Sequence, residues 1–406
     1  MLAVARPAAA LPSLRQSFRF ATRSQYTRQA FRHLATAQSN RYGAVVIGAG
    51  PGGLTCASNL LDQGVERVAM VDESFTGGRI NAKYREVPSN TKVSMFEKWA
   101  TGTKAFQEVL DRAPKDNAYD KLLSFDQDKG CFLGDAVDVA LLLSEGLRAD
   151  SRVTSITSHV NVLDKKGSSW SLPELGIETD RVVLAVGSHP RPHALADKYP
   201  HIQRLELDTT LKPSILKDAV PKGSRVAVVG SSHSAILALK NLHEVPGIDV
   251  VNFYRSALLY AIYKEGWILY DNTGLKGMAA EWAKTVLAAP ELPKNLHRIN
   301  LKQDSRTEDE VYDAELKNCT HLVSAIGYEI NPLPKIVVDG KEVQPDFDPL
   351  TGRFLESKKP LRGLFGAGIA YPERVTDPEG NVESAVGWFK FMKFLKRVAP
   401  EWAQNP

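Results

Sequence analysis

Short apolar runs that end in glycine divide the chain into repeating strand, turn and helix segments. The run at residues 43–48 (GAVVIG) is rich in β-branched residues and bounded by glycines, which predicts a buried parallel strand. A helical pattern follows at 54–61 and ends at Gly64, and a second apolar run at 68–71 ends at Asp72. This order predicts a βαβ unit of a parallel sheet.

The turn of this first unit has the glycine spacing of a dinucleotide-binding loop. Gly48 permits the tight turn, Gly50 lets the backbone approach a pyrophosphate, and Gly53 allows close packing of helix on strand. The helix N-terminus offers free N–H groups to phosphates, and an acid at the end of the second strand accepts hydrogen bonds from ribose hydroxyls. The predicted ligands of the first dinucleotide are Gly48, Gly50, Pro51, Gly52, Gly53, Asp72 and Glu73. The alternative is a glycine-rich loop of another α/β protein.

A second unit repeats the pattern with a degenerate loop. The strand at 224–230 leads into Gly-Ser-Ser-His-Ser-Ala, where Ser232 and Ala235 replace the second and third glycines. The strand at 250–254 ends at Arg255 rather than at an acid, which favours the 2′-phosphate of NADP over NAD. A solvated surface arginine is the alternative. The predicted ligands of this second dinucleotide are Gly230, Ser231, Ser232, His233, Ser234 and Arg255. For His233, contact with phosphate or nicotinamide and no chemical role are both open.

The strand motifs between the units predict the domain organisation. The runs ending at Gly187 and Gly327 indicate where the chain leaves the first domain and returns to it. The acid in the first unit suits FAD and the arginine in the second suits NADPH. The predicted fold class is therefore α/β, with two Rossmann-like dinucleotide-binding domains, the NAD(P)H domain being inserted into the FAD domain. The predicted segments are FAD-binding at 42–215, NAD(P)H-binding at 216–325, and FAD-binding again at 326–406, with a closing helix at 382–398.

Composition and charge narrow the class of protein. The chain has 406 residues, 43% hydrophobic and 24% charged, which suits an enzyme of two or three domains. Its three cysteines exclude a disulfide scaffold, a CxxC pair and a cysteine-based metal site, and no other metal site is predicted. No apolar run of eighteen residues predicts a membrane span.

The net charge of +4 comes from the first 41 residues. They contain seven arginines and no acid, and the remainder holds 44 basic and 47 acidic residues, which argues against a nucleic-acid partner. The leader at 1–41 has the composition of a mitochondrial transit peptide, so we expect a mitochondrial, matrix location. A disordered basic tail and a misassigned start are the alternatives.

Residues 43–398 resemble the two-dinucleotide-binding-domain flavoproteins, which include pyridine nucleotide-disulfide oxidoreductases and flavin-containing monooxygenases. The resemblance is carried by both glycine loops, Asp72, the Gly77-Gly78-Arg79 doublet, the strand–glycine motifs and the terminal Gly-Ala-Gly368. It implies FAD and NADP as cofactors, with NAD as the alternative, and places Gly78 and Arg79 beside the flavin. It also implies cofactor contacts at Gly187, Gly327 and Gly368.

Within this superfamily the sequence is more similar to the monooxygenase branch. It lacks the redox cysteine pair, and residues 87–92 resemble the segment whose asparagine, here Asn90, faces flavin and nicotinamide. Residues 230–235 and 324–328 resemble two further monooxygenase motifs. The FxGxxxHxxx(W/F) signature of that branch is missing at 200–210, which leaves oxygenation open. Asn90 and Arg79 are the catalytic candidates, Asn90 through a hydrogen bond at the flavin and Arg79 through stabilisation of the reduced flavin. A loop or helix-cap asparagine and a solvated arginine are the alternatives.

The predicted function is an FAD-dependent NAD(P)H oxidoreductase that passes hydride from NADPH to flavin and on to a small-molecule or quinone-like acceptor. A flavin-dependent monooxygenase and a non-catalytic dinucleotide-binding redox sensor are the alternatives. The aromatic segment 254–270 suggests contact with cofactor or acceptor. On the closing helix, Phe391 and Phe394 widen the apolar stripe; core packing is expected, with peripheral membrane contact or a dimer seam as alternatives. The pattern does not predict an oligomeric state.

Overall fold

The computed structural model describes residues 40–406. Most of the predicted leader lies outside the described residues, and mitochondrial targeting stays a prediction. Arg41 already belongs to the folded body, because it lies in a strand and pairs with Glu178 and Asp180. The predicted leader boundary at residue 41 therefore falls inside this strand. Within residues 40–406, no helix is both long and apolar enough to cross a membrane.

The chain alternates short strands with helices. Its strands are β1 (Arg41–Tyr42), β2 (Ala44–Ile47), β3 (Val68–Asp72), β4 (Pro88–Lys92), β5 (Gly130–Phe132), β6 (Val153–Thr157), β7 (Val162–Lys166), β8 (Ser169–Leu172), β9 (Ile177–Thr179), β10 (Val182–Leu184), β11 (Ser188–Pro190), β12 (Gln203–Arg204), β13 (Arg225–Val229), β14 (Asp249–Tyr254), β15 (Ile262–Tyr263), β16 (Ile268–Leu269), β17 (Leu296–Asn300), β18 (His321–Ser324), β19 (Tyr328–Ile330), β20 (Lys335–Val338), β21 (Lys341–Val343), β22 (Asp346–Phe347), β23 (Arg353–Glu356), β24 (Lys359–Gly366), β25 (Glu373–Thr376) and β26 (Val382–Ala385). Its helices are α1 (Pro51–Asp62), α2 (Gly78–Lys83), α3 (Val93–Ala100), α4 (Lys104–Arg112), α5 (Ala118–Leu123), α6 (Leu133–Arg148), α7 (Leu195–Lys198), α8 (Leu207–Thr210), α9 (Pro213–Ala219), α10 (His233–His243), α11 (Gly277–Trp282), α12 (Glu308–Leu316) and α13 (Trp388–Gln404).

The first nucleotide-binding sheet has the strand order β22-β23-β24-β10-β2-β3-β6, and β24 to β6 run parallel. Every residue of β2 is buried, because both faces of the sheet are covered. Val46 packs with α1, α3, α6 and α13, whereas the neighbouring Val45 packs with Trp170 of the antiparallel strands on the other face. The alternation of side chains along a strand thus serves two separate cores.

The second sheet is wholly parallel, in the order β12-β18-β13-β14-β17, and carries α10 on one face and α12 on the other. Its strands lie between residues 203 and 324, between β10 and β24 of the first sheet. The two connecting strands, β11 and β19, pair antiparallel with each other. The predicted fold class, two Rossmann-like units with the second inserted into the first, is confirmed, while the predicted domain boundaries stay predictions.

The closing helix differs from its predicted bounds. Residues 382–385 form strand β26, which pairs with β25, and the helix begins only at Trp388. Phe391 and Phe394 are buried against α1 and α3, so core packing explains the wide apolar stripe. At the far end of α13, Trp402 stacks on Phe365 with ring centroids 4.5 Å apart, which fixes the helix to β24.

Candidate functional site

A cavity of about 1410 Å³ is lined by residues of both nucleotide-binding units. Most of the residues predicted for the site line it: Gly48, Gly50, Pro51, Gly52, Asp72, Glu73, Gly78, Arg79, Asn90, Gly187, His233, Ser234 and Gly368. The other predicted residues lie outside its lining: Gly53, Gly230, Ser231, Ser232, Arg255 and Gly327. The structure therefore brings the first glycine loop and the start of α10 to one space.

At three positions of the first glycine loop, backbone contacts leave no room for a side chain. Gly48 has φ +103°, and a Cβ there would lie 2.3 Å from the Ala185 carbonyl oxygen. A Cβ at Gly53 would lie 1.8 Å from the Gly48 oxygen, and one at Gly52 would lie 2.9 Å from Gly368 Cα. These glycines, including Gly53 outside the cavity lining, pack the loop against its neighbouring strands, as the first and third motif positions require.

Gly50 serves a different purpose, because a Cβ there would meet nothing closer than the Gly77 oxygen at 3.9 Å. The position opens into the cavity and forms the N-cap of α1. The first turn of α1 has no acidic residue and no side-chain cap, so its N–H groups and positive dipole are available to an anion. This cradle fits the pyrophosphate of FAD.

The acid at the end of β3 holds the loop as well as facing the cavity. The Asp72 carboxylate accepts hydrogen bonds from the backbone N–H groups of Ala49 at 2.8 Å, Ser74 at 2.9 Å and Phe75 at 2.8 Å. Glu73 is exposed at the cavity and pairs with His159 Nδ1 at 2.6 Å. Binding of ribose hydroxyls by these acids stays a prediction, and a ligand at Asp72 would share its carboxylate with three backbone donors.

Arg79 lies at the cavity but its charge has a partner. Its guanidinium pairs with the buried Asp208 carboxylate at 2.5 Å, and the Tyr84 hydroxyl donates to the same carboxylate at 2.7 Å. Burial raises the pKa of Tyr84, so its phenol stays protonated and remains a donor. The predicted role of Arg79 at the reduced flavin would have to compete with Asp208. Because Asp208 is 129 residues away from Arg79, no local motif reveals this pair.

Asn90 lies in β4 with its side chain exposed at the cavity, which suits its predicted contact with flavin or nicotinamide. Its Oδ1 accepts a hydrogen bond from Thr91 Oγ1 at 3.2 Å. The neighbouring Lys92 pairs with Asp128 at 2.9 Å. Asn90 is thus placed at the cavity by a strand rather than by the loop or helix cap that its residue type also favours.

The second glycine loop repeats the geometry of the first. Gly230 has φ +135°, and a Cβ there would lie 2.2 Å from the Ala325 carbonyl oxygen. Asn252 on β14 donates through Nδ2 to the Gly230 oxygen at 2.8 Å and holds the loop from the next strand. Ser232 has an ordinary extended backbone with φ −90°, which explains why serine is tolerated there. Ala235 is fully buried, so the methyl group at the third position is accommodated.

His233 begins α10 and lines the cavity. Its Nδ1 atom is buried and has no hydrogen-bond partner within the described part of the chain. Burial, reinforced by the nearby Lys276 charge, lowers the pKa of His233 to about 4. The imidazole is therefore neutral near pH 7 and acts as a hydrogen-bonding group rather than as a cation for phosphate.

A polar cluster that the motifs did not reveal connects the segment 271–276 to the C-terminal part of the first unit. The buried Glu383 carboxylate accepts hydrogen bonds from the backbone and side chains of Asn272 and Thr273. Asp271 pairs with both Lys276 and Lys390, the latter at 2.7 Å. The partners are about 110–120 residues apart, except for Lys276, so sequence spacing gives no signal for them.

Arg255 lies at the end of β14 as predicted, but its exposed side chain is held by a carboxylate. The guanidinium makes a two-point ion pair with Glu308 on α12, at 2.9 and 2.6 Å. Binding of a 2′-phosphate here stays a prediction, and Glu308 would compete with it.

Two sheets, each with parallel strands around a glycine turn that packs against the end of a neighbouring strand, are the arrangement of a protein that binds two dinucleotides. The chain belongs to the pyridine nucleotide-disulphide oxidoreductase family, whose model matches residues 42–343. This membership confirms the prediction of an oxidoreductase that uses FAD and NADP. The non-catalytic sensor is not supported.

Among curated proteins, the chain is 44% identical over 384 residues to Monooxygenase AgnR1 from Paecilomyces divaricatus, covering 88% of this chain and 97% of that protein. Among solved structures, it is similar in fold to an ornithine N-hydroxylase from Kutzneria sp. 744, with 15% identity, a TM-score of 0.56, and coverage of 90% and 99% of the two chains. A cyclohexanone monooxygenase from Rhodococcus sp. Phi1 shows 14% identity, a TM-score of 0.53, and coverage of 90% and 84%.

The open space at Gly50 generates a prediction about FAD. The Cβ of Gly50→Val would meet nothing closer than 3.9 Å and its two methyl groups would occupy the cradle, so we expect a folded protein that loses bound FAD. The measurement is flavin absorbance per mole of purified protein, with circular dichroism as the check on folding. The control is Gly64→Asn, in a left-handed turn with open space, which should retain FAD. Full retention of FAD by Gly50→Val would refute the assignment of this loop.

The buried imidazole generates a prediction about stability. Between pH 6.5 and 4 the unfolded chain binds a proton at His233 that the native protein does not, so the free energy of unfolding falls as the pH falls through this window. At pH 5 this contribution is about 2 kcal/mol. His233→Asn should remove that part of the pH dependence, as measured by urea unfolding at pH 7 and pH 5. His297→Asn, at an exposed histidine, is the matched control. The prediction is contradicted if the free energy of unfolding of His233→Asn falls between pH 7 and pH 5 by as much as that of wild type.

Proposed function

We propose that this protein is a flavin-dependent monooxygenase that uses NADPH and O₂ to insert one oxygen atom into a small organic molecule. The observation that carries the proposal is the 44% identity to a monooxygenase over 97% of that protein's length. The balanced reaction consumes NADPH, a proton, O₂ and the acceptor, and releases NADP⁺, water and the oxygenated product. Bound FAD supplies the two-electron chemistry between NADPH and O₂.

The protein's own residues bind and orient the reactants. The Gly48–Gly53 loop and the start of α1 would hold one pyrophosphate, and the uncapped start of α10 would offer equivalent N–H groups to the other. Asn90 presents an amide to the cavity, and His233 presents a neutral imidazole. Both groups can donate and accept hydrogen bonds without adding charge.

The cysteines argue against disulfide chemistry. Cys56, Cys131 and Cys319 are all free, and Cys56 and Cys319 are buried. Burial raises the pKa of Cys56, and it raises the pKa of Cys131 to about 11, so neither forms a reactive thiolate near pH 7. The second candidate is a reductase that passes the electrons to a quinone-like acceptor, which the missing signature at 200–210 favours.

Oxygen incorporation separates the two candidates. Full-length protein loaded with FAD is first mixed with NADPH in the absence of O₂. Loss of the flavin absorbance band is expected for the monooxygenase and for the reductase. The protein is then incubated under ¹⁸O₂ with ketones, amines, sulfides and phenols, and hydrogen peroxide is measured. A monooxygenase acceptor gains ¹⁸O and lowers the peroxide yield. Rapid anaerobic oxidation of NADPH by menadione, with no ¹⁸O gained by any compound, supports the reductase instead.

The ion pair of Arg255 generates a prediction about nucleotide preference. If Arg255 binds the 2′-phosphate, Arg255→Ala removes a charge-assisted hydrogen bond and raises the KM for NADPH by about tenfold or more, with little effect on NADH. Glu308→Gln should lower the KM for NADPH, because it releases the guanidinium from its present partner. The control is Arg306→Ala, at a nearby exposed arginine paired with Asp304. Equal effects of Arg255→Ala on both nucleotides refute the assignment.

A further inference from the structure

Two hairpins that belong to neither nucleotide-binding sheet contribute to the cavity. One consists of β15 and β16 and lies between β14 and α11; the other consists of β25 and β26 and lies between β24 and α13. Tyr263, Trp267 and Ile268 of the first hairpin line the cavity, as do Val375 and Pro378 of the second. Neither hairpin belongs to one of the two phosphate-binding turns, so phosphate binding does not account for their position at the cavity.

The hairpins are fixed to each other as parts of one structure. Lys264 and Glu379, at their tips, form an ion pair at 3.8 Å. Behind the tips, the buried Glu383 of β26 holds the backbone that follows β16, through Asn272 and Thr273. Buried, multiply bonded carboxylates restrain their neighbours more than exposed ion pairs do. The aromatic side chains of the first hairpin therefore line the cavity from a backbone that is restrained by the second hairpin.

The hairpins also keep large apolar side chains accessible. Tyr263 is 61% exposed and Val386, just after β26, is 43% exposed, and both line the cavity. Trp267 is partly buried and completes this apolar surface. Aromatic side chains gain both from loss of water and from ring stacking when an aromatic ligand covers them. These residues are therefore suited to a ring-bearing ligand.

The charges beside this surface favour a neutral ligand. The Asp271 carboxylate is shared by Lys276 and Lys390, and the Glu383 carboxylate is satisfied by four hydrogen bonds. A charged ligand in contact with these buried groups would give up its water without gaining a free partner of opposite sign, whereas a neutral ligand carries no such cost. Lys393, which is exposed and also lines the cavity, lies outside this buried group.

We propose that the two hairpins form the acceptor subsite of the cavity and that the acceptor is a neutral aromatic small molecule, bound mainly by Trp267 and Tyr263. This inference rests on the proposed function, because it names the class of molecule that would be oxygenated. Of the aromatic segment at 254–270, the part that lines the cavity, Tyr263 and Trp267, is thereby assigned to the acceptor rather than to a cofactor.

Calorimetry with a pair of matched probes tests the proposal. Full-length protein loaded with FAD is titrated with 2-acetylnaphthalene, which is neutral, and with 2-naphthoate, which has the same ring system and a negative charge. We expect 2-acetylnaphthalene to bind at least tenfold more tightly. Trp267→Ala should weaken its binding by at least tenfold and Tyr263→Ala by a smaller factor, with FAD content showing that each variant is folded. Val382→Ala is the control, because Val382 is exposed on the same hairpin but does not line the cavity.

The proposal is overturned by tighter binding of the anion, by the absence of binding of both probes, or by equal affinity in wild type and Trp267→Ala. A loss on Val382→Ala as large as that on Trp267→Ala also overturns it, because the outer surface of the hairpins would then be the binding face. Failure of the proposed function has a different signature: the neutral probe binds through Trp267, but no compound gains ¹⁸O. Binding and oxygenation are thus measured separately.

Discussion

The architecture depends on one close backbone contact that occurs twice. In the first unit the Ala185 carbonyl occupies the space beside Gly48, and in the second the Ala325 carbonyl occupies the space beside Gly230. Ala185 follows β10 and Ala325 follows β18, so each alanine stands where the chain passes from one unit to the other. Each nucleotide loop is consequently packed against a connection between the units. A side chain at either glycine would displace both a phosphate-binding loop and the segment that links the sheets.

The two loops also distinguish positions that need glycine for its backbone conformation from positions that need glycine for the space it leaves open. Gly50 and Ser232 both have ordinary extended backbone angles, with φ −72° and −90°, so neither position needs glycine for its conformation. What Gly50 provides is empty space. The serine in the second loop leaves the fold intact and puts a hydroxyl where the first loop has nothing. A degenerate motif can therefore keep its fold while presenting a different chemical group to the ligand.

The sequence predicted well what depends on neighbouring residues. The glycine loops, the strands that flank them and the insertion of one unit into the other follow from short, contiguous patterns. The predicted closing helix begins too early, because only Val386 and Gly387 separate β26 from α13 and only the pairing with β25 distinguishes the strand from the helix. The ion-pair partners of Arg79 and Arg255 could not be predicted from the sequence, because tertiary folding brings Asp208 and Glu308 to them. The same holds for Glu383, whose buried carboxylate is satisfied from a segment about 110 residues away.

The paired connections β11 and β19 have a consequence for how such an enzyme can be altered. Pro190 and Tyr328 are cross-strand neighbours, and His189 bridges to Glu329 and Asn331 at 2.9 Å each. The whole inserted segment thus begins and ends at adjacent points. An exchange of this segment between relatives, by recombination or by cloning, would need only two junctions that already lie side by side. The coenzyme module and the flavin module can in that sense diversify independently along a lineage.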